Sequence, residues 1–188
     1  MSPVKRNARG QQHLSDFPLK LPFSLSLEKG NDSLVCQTVL RLIPGRRGVF
    51  MATWRHRLVV AKLFYRSFHS GRHIRRERKG LQALRQAGLN TAELLYTGKT
   101  SDRAIGVCLF EHIDSGQSLK ALWISLKTPS AKRSVLRRVL SVIAKMHEAG
   151  LEQRDLHLEN FIFTDDAVYC MDCSTIKRHK ATRPLGVR

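Results

Sequence analysis

Apolar and polar positions alternate over Thr38-Val39-Leu40-Arg41-Leu42-Ile43 and again over Val49-Phe50-Met51-Ala52-Thr53-Trp54, with Pro44-Gly45-Arg46-Arg47-Gly48 between them. This pattern predicts strand, glycine-containing turn, strand. Arg55-His56-Arg57 then turns into Leu58-Val59-Val60-Ala61-Lys62-Leu63-Phe64, which is apolar on both alternating faces and reads as a buried strand. The period changes next: Ile74, Leu81 and Leu84 recur at intervals of seven and three, a helical stripe on which Glu77 also falls. A second helix is predicted over Ser130 to Ala149, where Leu136, Val139, Leu140, Ile143 and Met146 mark a core face between Pro129 and Gly150. Two short strand-like runs follow, Asn160 to Phe163 and Ala167 to Met171, joined by the turn formers Asp165-Asp166.

Two charges sit where this pattern expects none. Lys62 is the single ammonium in an apolar strand, and it either snorkels to water along its stem or meets a counter-charge. Glu77 faces inward on its stripe, unless it is merely solvated on a surface helix. Pairing the two removes both desolvation penalties at once.

The segment Arg154-Asp155-Leu156-His157-Leu158-Glu159-Asn160 places an aspartate and an asparagine five positions apart, and Asp172 follows the apolar run Val168 to Met171. That is the spacing of a kinase catalytic loop and its metal-binding aspartate. Phosphoryl transfer needs one carboxylate to accept or orient the acceptor hydroxyl and further oxygen ligands to hold magnesium against the phosphates. Asp155 is expected in the first role, Asn160 and Asp172 in the second. A lone Asp-x-x-x-x-Asn is common in polar turns; its setting between a helix and two strands is what the motif requires. In protein kinases the lysine of the third strand reaches the nucleotide phosphates and pairs with a helix glutamate, and Lys62 and Glu77 fit those places in order. The turn Gly45-Arg46-Arg47-Gly48 would then cover the phosphates, the alternative being an ordinary hairpin with solvated arginines.

Leu40-Arg41-Leu42-Ile43-Pro44-Gly45-Arg46-Arg47, Val60-Ala61-Lys62-Leu63-Phe64 and Arg154-Asp155-Leu156-His157-Leu158-Glu159-Asn160-Phe161 occur in this order. With them, from about Leu34 to Arg178, the chain resembles the bacterial lipopolysaccharide core kinases, the Kdo and heptose kinase family. The stretch from Glu77 to Gly98 is similar to the family's segment between helix glutamate and fourth strand. The resemblance implies ATP and Mg2+ as cofactors and a sugar hydroxyl of the lipopolysaccharide inner core, or of a lipid A-linked sugar, as acceptor. It also implies an α+β, bilobal protein-kinase-like fold. The expected divisions are a flexible basic arm over 1–33, an N-lobe with an antiparallel sheet and one helix over 34–112, and a short, mainly helical C-lobe over 113–188, with the hinge at Phe110 to Leu119.

Three positions depart from the protein-kinase pattern. Gln153 stands in place of the histidine before Arg154-Asp155, Asp172-Cys173-Ser174 in place of Asp-Phe-Gly, and His157 where serine/threonine kinases carry lysine. His157 points to a non-protein acceptor, or is a hydrogen-bonding loop residue. The chain ends sixteen residues after Asp172, which implies a truncated chain or an unusually small lobe. Two other readings stay open: an atypical RIO-like protein kinase, and a kinase-fold binding module without activity.

Composition adds the partners. With 188 residues and 42% hydrophobic content, one domain of two small lobes around a cleft is feasible. Thirty-three Lys and Arg against fifteen Asp and Glu give a net charge of +18, concentrated at Arg72 to Lys79, Lys132 to Arg138 and Lys177 to Arg188. A field of that size attracts a polyanion. Zinc-finger spacing and aromatic residues interleaved with the bases are missing, so no specific nucleic-acid partner is expected; an anionic membrane surface fits the charge better. No secretory signal or membrane-spanning run is read, and the expected location is cytoplasmic, peripheral on the inner membrane. Cys170 and Cys173 lack a second pair or a spaced histidine for zinc and would face opposite sides of a strand, while Cys36 and Cys108 read as buried apolar residues. The oligomeric state stays open.

Overall fold

The computed structural model describes residues 20–28, 32–65 and 67–179. In chain order the elements are strands β1 (Phe23–Ser26), β2 (Ser33–Ile43), β3 (Arg47–Trp54) and β4 (Arg57–Phe64), helix α1 (Ser67–Gln86), and strands β5 (Asn90–Thr91), β6 (Leu94–Lys99), β7 (Gly106–Glu111) and β8 (Gln117–Ser118). Helices α2 (Leu119–Ser125) and α3 (Pro129–Glu148) follow, then strands β9 (Leu151–Gln153), β10 (Phe161–Phe163), β11 (Val168–Cys170) and β12 (Ile176–Arg178). Among the described residues the fold is mixed, with antiparallel sheet and three helices, and it divides into two compact units.

The first unit holds the described residues up to Ile74 together with Glu93–His112. Its sheet has the order β1-β2-β3-β4-β7-β6, antiparallel at every pairing. β3 alternates without a break, burying Gly48, Phe50, Ala52 and Trp54. The Phe50, Ala52 and Trp54 side chains join Val59, Ala61 and Leu63 of β4 and Val107 and Leu109 of β7 in one apolar core. The expectation that β4 is buried on both faces is corrected. Val60 and Lys62 are only half-buried and Leu58 is 45% exposed, because an antiparallel sheet covers one face and leaves the other more open.

The flexible arm also needs correction. Much of 1–33 lies outside the described residues, but Phe23–Ser26 pairs with Ser33–Cys36 as an edge strand. The reason is a short alternation that the neighbouring prolines obscured: Phe23, Leu25 and Leu27 face the core, with the Phe23 ring edge-on to Phe50 at 5.3 Å.

The second unit holds Arg75–Ala92 and the described residues from Ile113 onward. The latter part of α1 therefore groups with residues expected to form a separate C-terminal lobe. The cause is local: β5, just after α1, pairs in parallel with β11, and Arg178 donates to the Gln86 amide oxygen. A four-stranded sheet, β5-β11-β10-β8, and a two-stranded one, β12-β9, accompany α2 and α3, so the described part of this unit is mixed rather than mainly helical.

α3 starts where Thr128 caps it, accepting from the Ala131 amide, with Pro129 at the first helical position. Its expected core face is only half realised. Val139 and Met146 are buried, whereas Leu136 and Leu140 are 44% and 53% exposed.

All four cysteines are buried. Cys170 ends β11 and Cys173 opens a single 3-10 turn (Cys173–Thr175), so the two do not share a strand as expected. Burial pushes the Cys36 and Cys170 thiols from 9.0 up to about 12. Both are thiols at neutral pH, and their folded values lie above the unfolded one. Their stabilising contribution is thus complete below pH 9 and is lost as pH rises toward 12. The unfolding free energy is expected to stay level up to about pH 8.5 and to fall above 9 by roughly 1.4 kcal/mol per pH unit for each buried thiol, read as a falling thermal midpoint. Ellman's reagent at pH 8 should react slowly with native protein and with all four thiols in denaturant; rapid reaction of the native chain would contradict this burial.

Candidate active site

The second unit builds its polar centre from three short pieces of chain. β9 delivers Arg154, Asp155 and His157 into a bend, a 3-10 turn (Leu158–Asn160) follows, and β10 leads away. Arg154 and Asp155 are exposed, His157 is half-buried, and Asn160 is 2% exposed. The Asn160 side-chain amide donates to the Asp155 backbone carbonyl, closing the loop on itself. Its backbone amide donates to the His157 carbonyl at 3.0 Å, and its carbonyl accepts from the Met171 amide at 2.8 Å. Asp155, Asn160 and the residue before Asp172 are therefore joined by two hydrogen bonds.

Asp172 sits in the left-handed region (φ 51°, ψ 61°), an uncommon conformation for a residue with a Cβ and one that concentrates at functional sites. Its Oδ1 accepts from the Ser174 hydroxyl at 3.1 Å. Two contacts hold the neighbouring backbone, and neither residue stands out in the sequence as functional. Gln153, 7% exposed, donates from Nε2 to the Met171 carbonyl at 3.1 Å. Gly80 of α1 lies so close that an added Cβ would collide with the Cys173 carbonyl oxygen. Past Cys173 the chain returns along β9, with Ile176 opposite Gln153.

Gln153 was legible only as a departure from histidine; its contact gives it a positioning role. Gln153→Leu would leave the Met171 carbonyl without this donor. We expect a stability loss of about 1–2 kcal/mol and a fall in turnover of about tenfold. Gln153→His, which restores an N–H donor, should recover part of both, as read by melting and initial rates. Unchanged melting and turnover in Gln153→Leu would contradict the role.

Glu77 lies on the inward stripe of α1 and is 1% exposed, beside Leu81 at 5% and Leu84 at 0%. The remaining candidates belong to the first unit. Lys62 of β4 pairs in register with Val49 and Cys108, and its Nζ lies 5.3 Å from the Phe110 ring centroid. The β2–β3 turn consists of Pro44, Gly45 and Arg46, with Ile43 already paired to Arg47. Arg46 is exposed, and Arg47 is the half-buried first residue of β3. The expectation that Gly48 belongs to the turn is corrected. It lies inside β3, and a Cβ there would meet the Phe50 ring and the Tyr65 hydroxyl, so packing accounts for the glycine.

The oxygen donors in the second unit suit a hard cation. With Nδ2 of Asn160 donating to Asp155, its Oδ1 is left as an acceptor, and Asp172 supplies a carboxylate. Magnesium takes one or two such protein ligands and completes its shell with phosphate oxygens and water. No cluster of three or more His, Cys, Asp or Glu side chains that could hold a metal occurs among the described residues.

Residues 46–185 match the family model described as Lipopolysaccharide kinase (Kdo/WaaP) family. No curated protein matches the chain.

Proposed function

Since the chain belongs to the Kdo/WaaP lipopolysaccharide kinase family and is a kinase, we propose that it moves the terminal phosphoryl group of ATP to a sugar hydroxyl of the lipopolysaccharide inner core, on a Kdo or a heptose. The observation that supports this reading best is the hydrogen-bonded chain from the Asp155 carbonyl through Asn160 to the Met171 amide, which ties the backbone of Asp155, Asn160 and the segment leading to Asp172 into one frame. In this reading Asp155 orients the acceptor hydroxyl and takes its proton. Asn160 and Asp172 hold Mg2+, which when bound neutralises charge on the phosphates. Lys62 binds the nucleotide phosphates and Glu77 orients Lys62. The β2–β3 turn at Gly45 and Arg46, with Arg47 at the start of β3, covers the phosphates, while Arg154 and His157 frame the acceptor side.

The proposed architecture is the bilobal protein-kinase-like one. The proposed location is the cytoplasmic face of the inner membrane, held there by anionic lipid. Among the described residues no helix is long and apolar enough to cross a membrane. An acceptor screen tests the reading: radiolabelled ATP is offered with lipopolysaccharide lacking core phosphate, with its deacylated core sugars, and with a generic protein substrate. Label on the core sugars, abolished in Asp155→Asn, is expected. Label on protein alone would overturn the sugar acceptor in favour of a protein kinase.

A further inference from the structure

A concave feature lies within the second unit, and its lining includes none of Asp155, Asn160 and Asp172. It is a groove of about 380 Å³ between α3, the turn following α1 and the β10–β11 turn. Arg137, Arg138 and Lys145 line it together with Ser141, Asn90 and a single carboxylate, Asp166. The cations are not equivalent. Arg138 is fixed in place, donating to the Thr164 carbonyl at 3.1 Å with its guanidinium carbon 5.1 Å from the Phe163 ring centroid. Arg137 and Lys145 are exposed, and neither makes an ion pair among the described residues. One preorganised guanidinium, two further cations, a hydroxyl and an amide around a concavity match a phosphate group, whose oxygens accept from all of them.

The neighbouring surface says where that phosphate comes from. Arg137, Ser141 and Lys145 are spaced four apart and form one stripe of α3. Beside it run Arg133, Leu136, Arg137 and Leu140, at positions i, i+3, i+4 and i+7, all exposed. Leucines that a soluble surface gains nothing by exposing, alternating with arginines, match the boundary between lipid headgroups and acyl chains. The net charge of +18 adds a general attraction to an anionic surface.

We propose that this groove binds the phosphate of an anionic lipid headgroup and, with Leu136 and Leu140 dipping into the interface, docks α3 on the membrane. This deepens the membrane part of the preceding reading and is independent of the phosphotransfer part.

The test uses the full chain without nucleotide, so failure of the catalytic reading cannot affect it. Binding to phosphatidylcholine vesicles with and without about one third phosphatidylglycerol is measured by co-sedimentation, with attraction of roughly fivefold per basic residue as the scale. Arg137→Gln/Lys145→Gln should lower partitioning to the anionic vesicles at least about tenfold. Arg41→Gln/Arg57→Gln removes the same charge from exposed positions of the first unit and should lower it only a few-fold. Leu136→Ser/Leu140→Ser should weaken binding even at low salt. Asp166→Asn, which removes the groove's one carboxylate, should strengthen it, an outcome misfolding would not produce.

Equal losses in the two charge-matched double variants would overturn the proposal in favour of diffuse attraction. Calorimetric binding of inorganic phosphate, sensitive to Arg137→Gln/Lys145→Gln, without vesicle binding would reassign the groove to a free phosphate and overturn the lipid. Loss of nucleic-acid binding in that variant with vesicle binding intact would also overturn it.

Discussion

Asp155→Asn is expected to fold and to bind ATP with magnesium like the parent chain, while phosphoryl transfer falls by roughly 10²–10⁴-fold. The substitution keeps the size of the side chain and leaves the backbone untouched, so the bond from the Asn160 amide to the residue-155 carbonyl survives. What disappears is the carboxylate proposed to accept the proton of the acceptor hydroxyl. Binding is read by calorimetry and transfer by radiolabel incorporation. A parallel fall in nucleotide affinity would show that the residue holds the loop together rather than serving the reaction, and unchanged transfer would remove it from the mechanism.

Gly80→Ala is expected to produce the largest structural effect of any single methyl group added to the second unit. In isolation the change favours the helix by about 1 kcal/mol, since alanine has the higher helix propensity. Here the new Cβ would overlap the Cys173 carbonyl oxygen, and that atom belongs to backbone rather than to the end of a flexible side chain. Either α1 or the 172–175 segment must shift, and overpacking of this kind costs about 1–3 kcal/mol. The unfavourable effect wins. Because Cys173 follows Asp172 directly, the displaced segment carries the proposed metal carboxylate with it, and activity should fall about 10-fold to 100-fold beyond what the lost stability explains. Thermal melting together with turnover at low temperature, where the variant is folded, separates the two effects. A variant more stable than the parent would show that this close approach does not exist.

Much of this arrangement was legible because it follows from periodicity. Glu77 could be placed inward from the spacing of Ile74, Leu81 and Leu84, and it is buried. The β2–β3 turn and the β10–β11 hairpin were marked by glycine, proline and paired aspartates. Features that depend on contacts distant in sequence were not legible. The value of Gly80 lies in a carbonyl 93 positions away, and that of Gln153 in Met171; neither contact leaves a periodic trace. β1 was missed because four residues are too short to carry a pattern and prolines precede them. The apolar face of α3 was read correctly as a helical stripe, but periodicity does not say whether a stripe is covered, and Leu136 and Leu140 are not.

Asn160 and Asp172, framed by Asp155, are proposed to form the magnesium side of a phosphotransfer site. Calorimetric titration of ATP into the chain with and without magnesium, repeated on Asp172→Ala, tests this role most directly. Magnesium-dependent binding in the parent chain is expected to weaken at least about tenfold in the variant, as loss of a charged metal ligand requires. Binding equal in the two proteins, or binding indifferent to magnesium, would contradict this role.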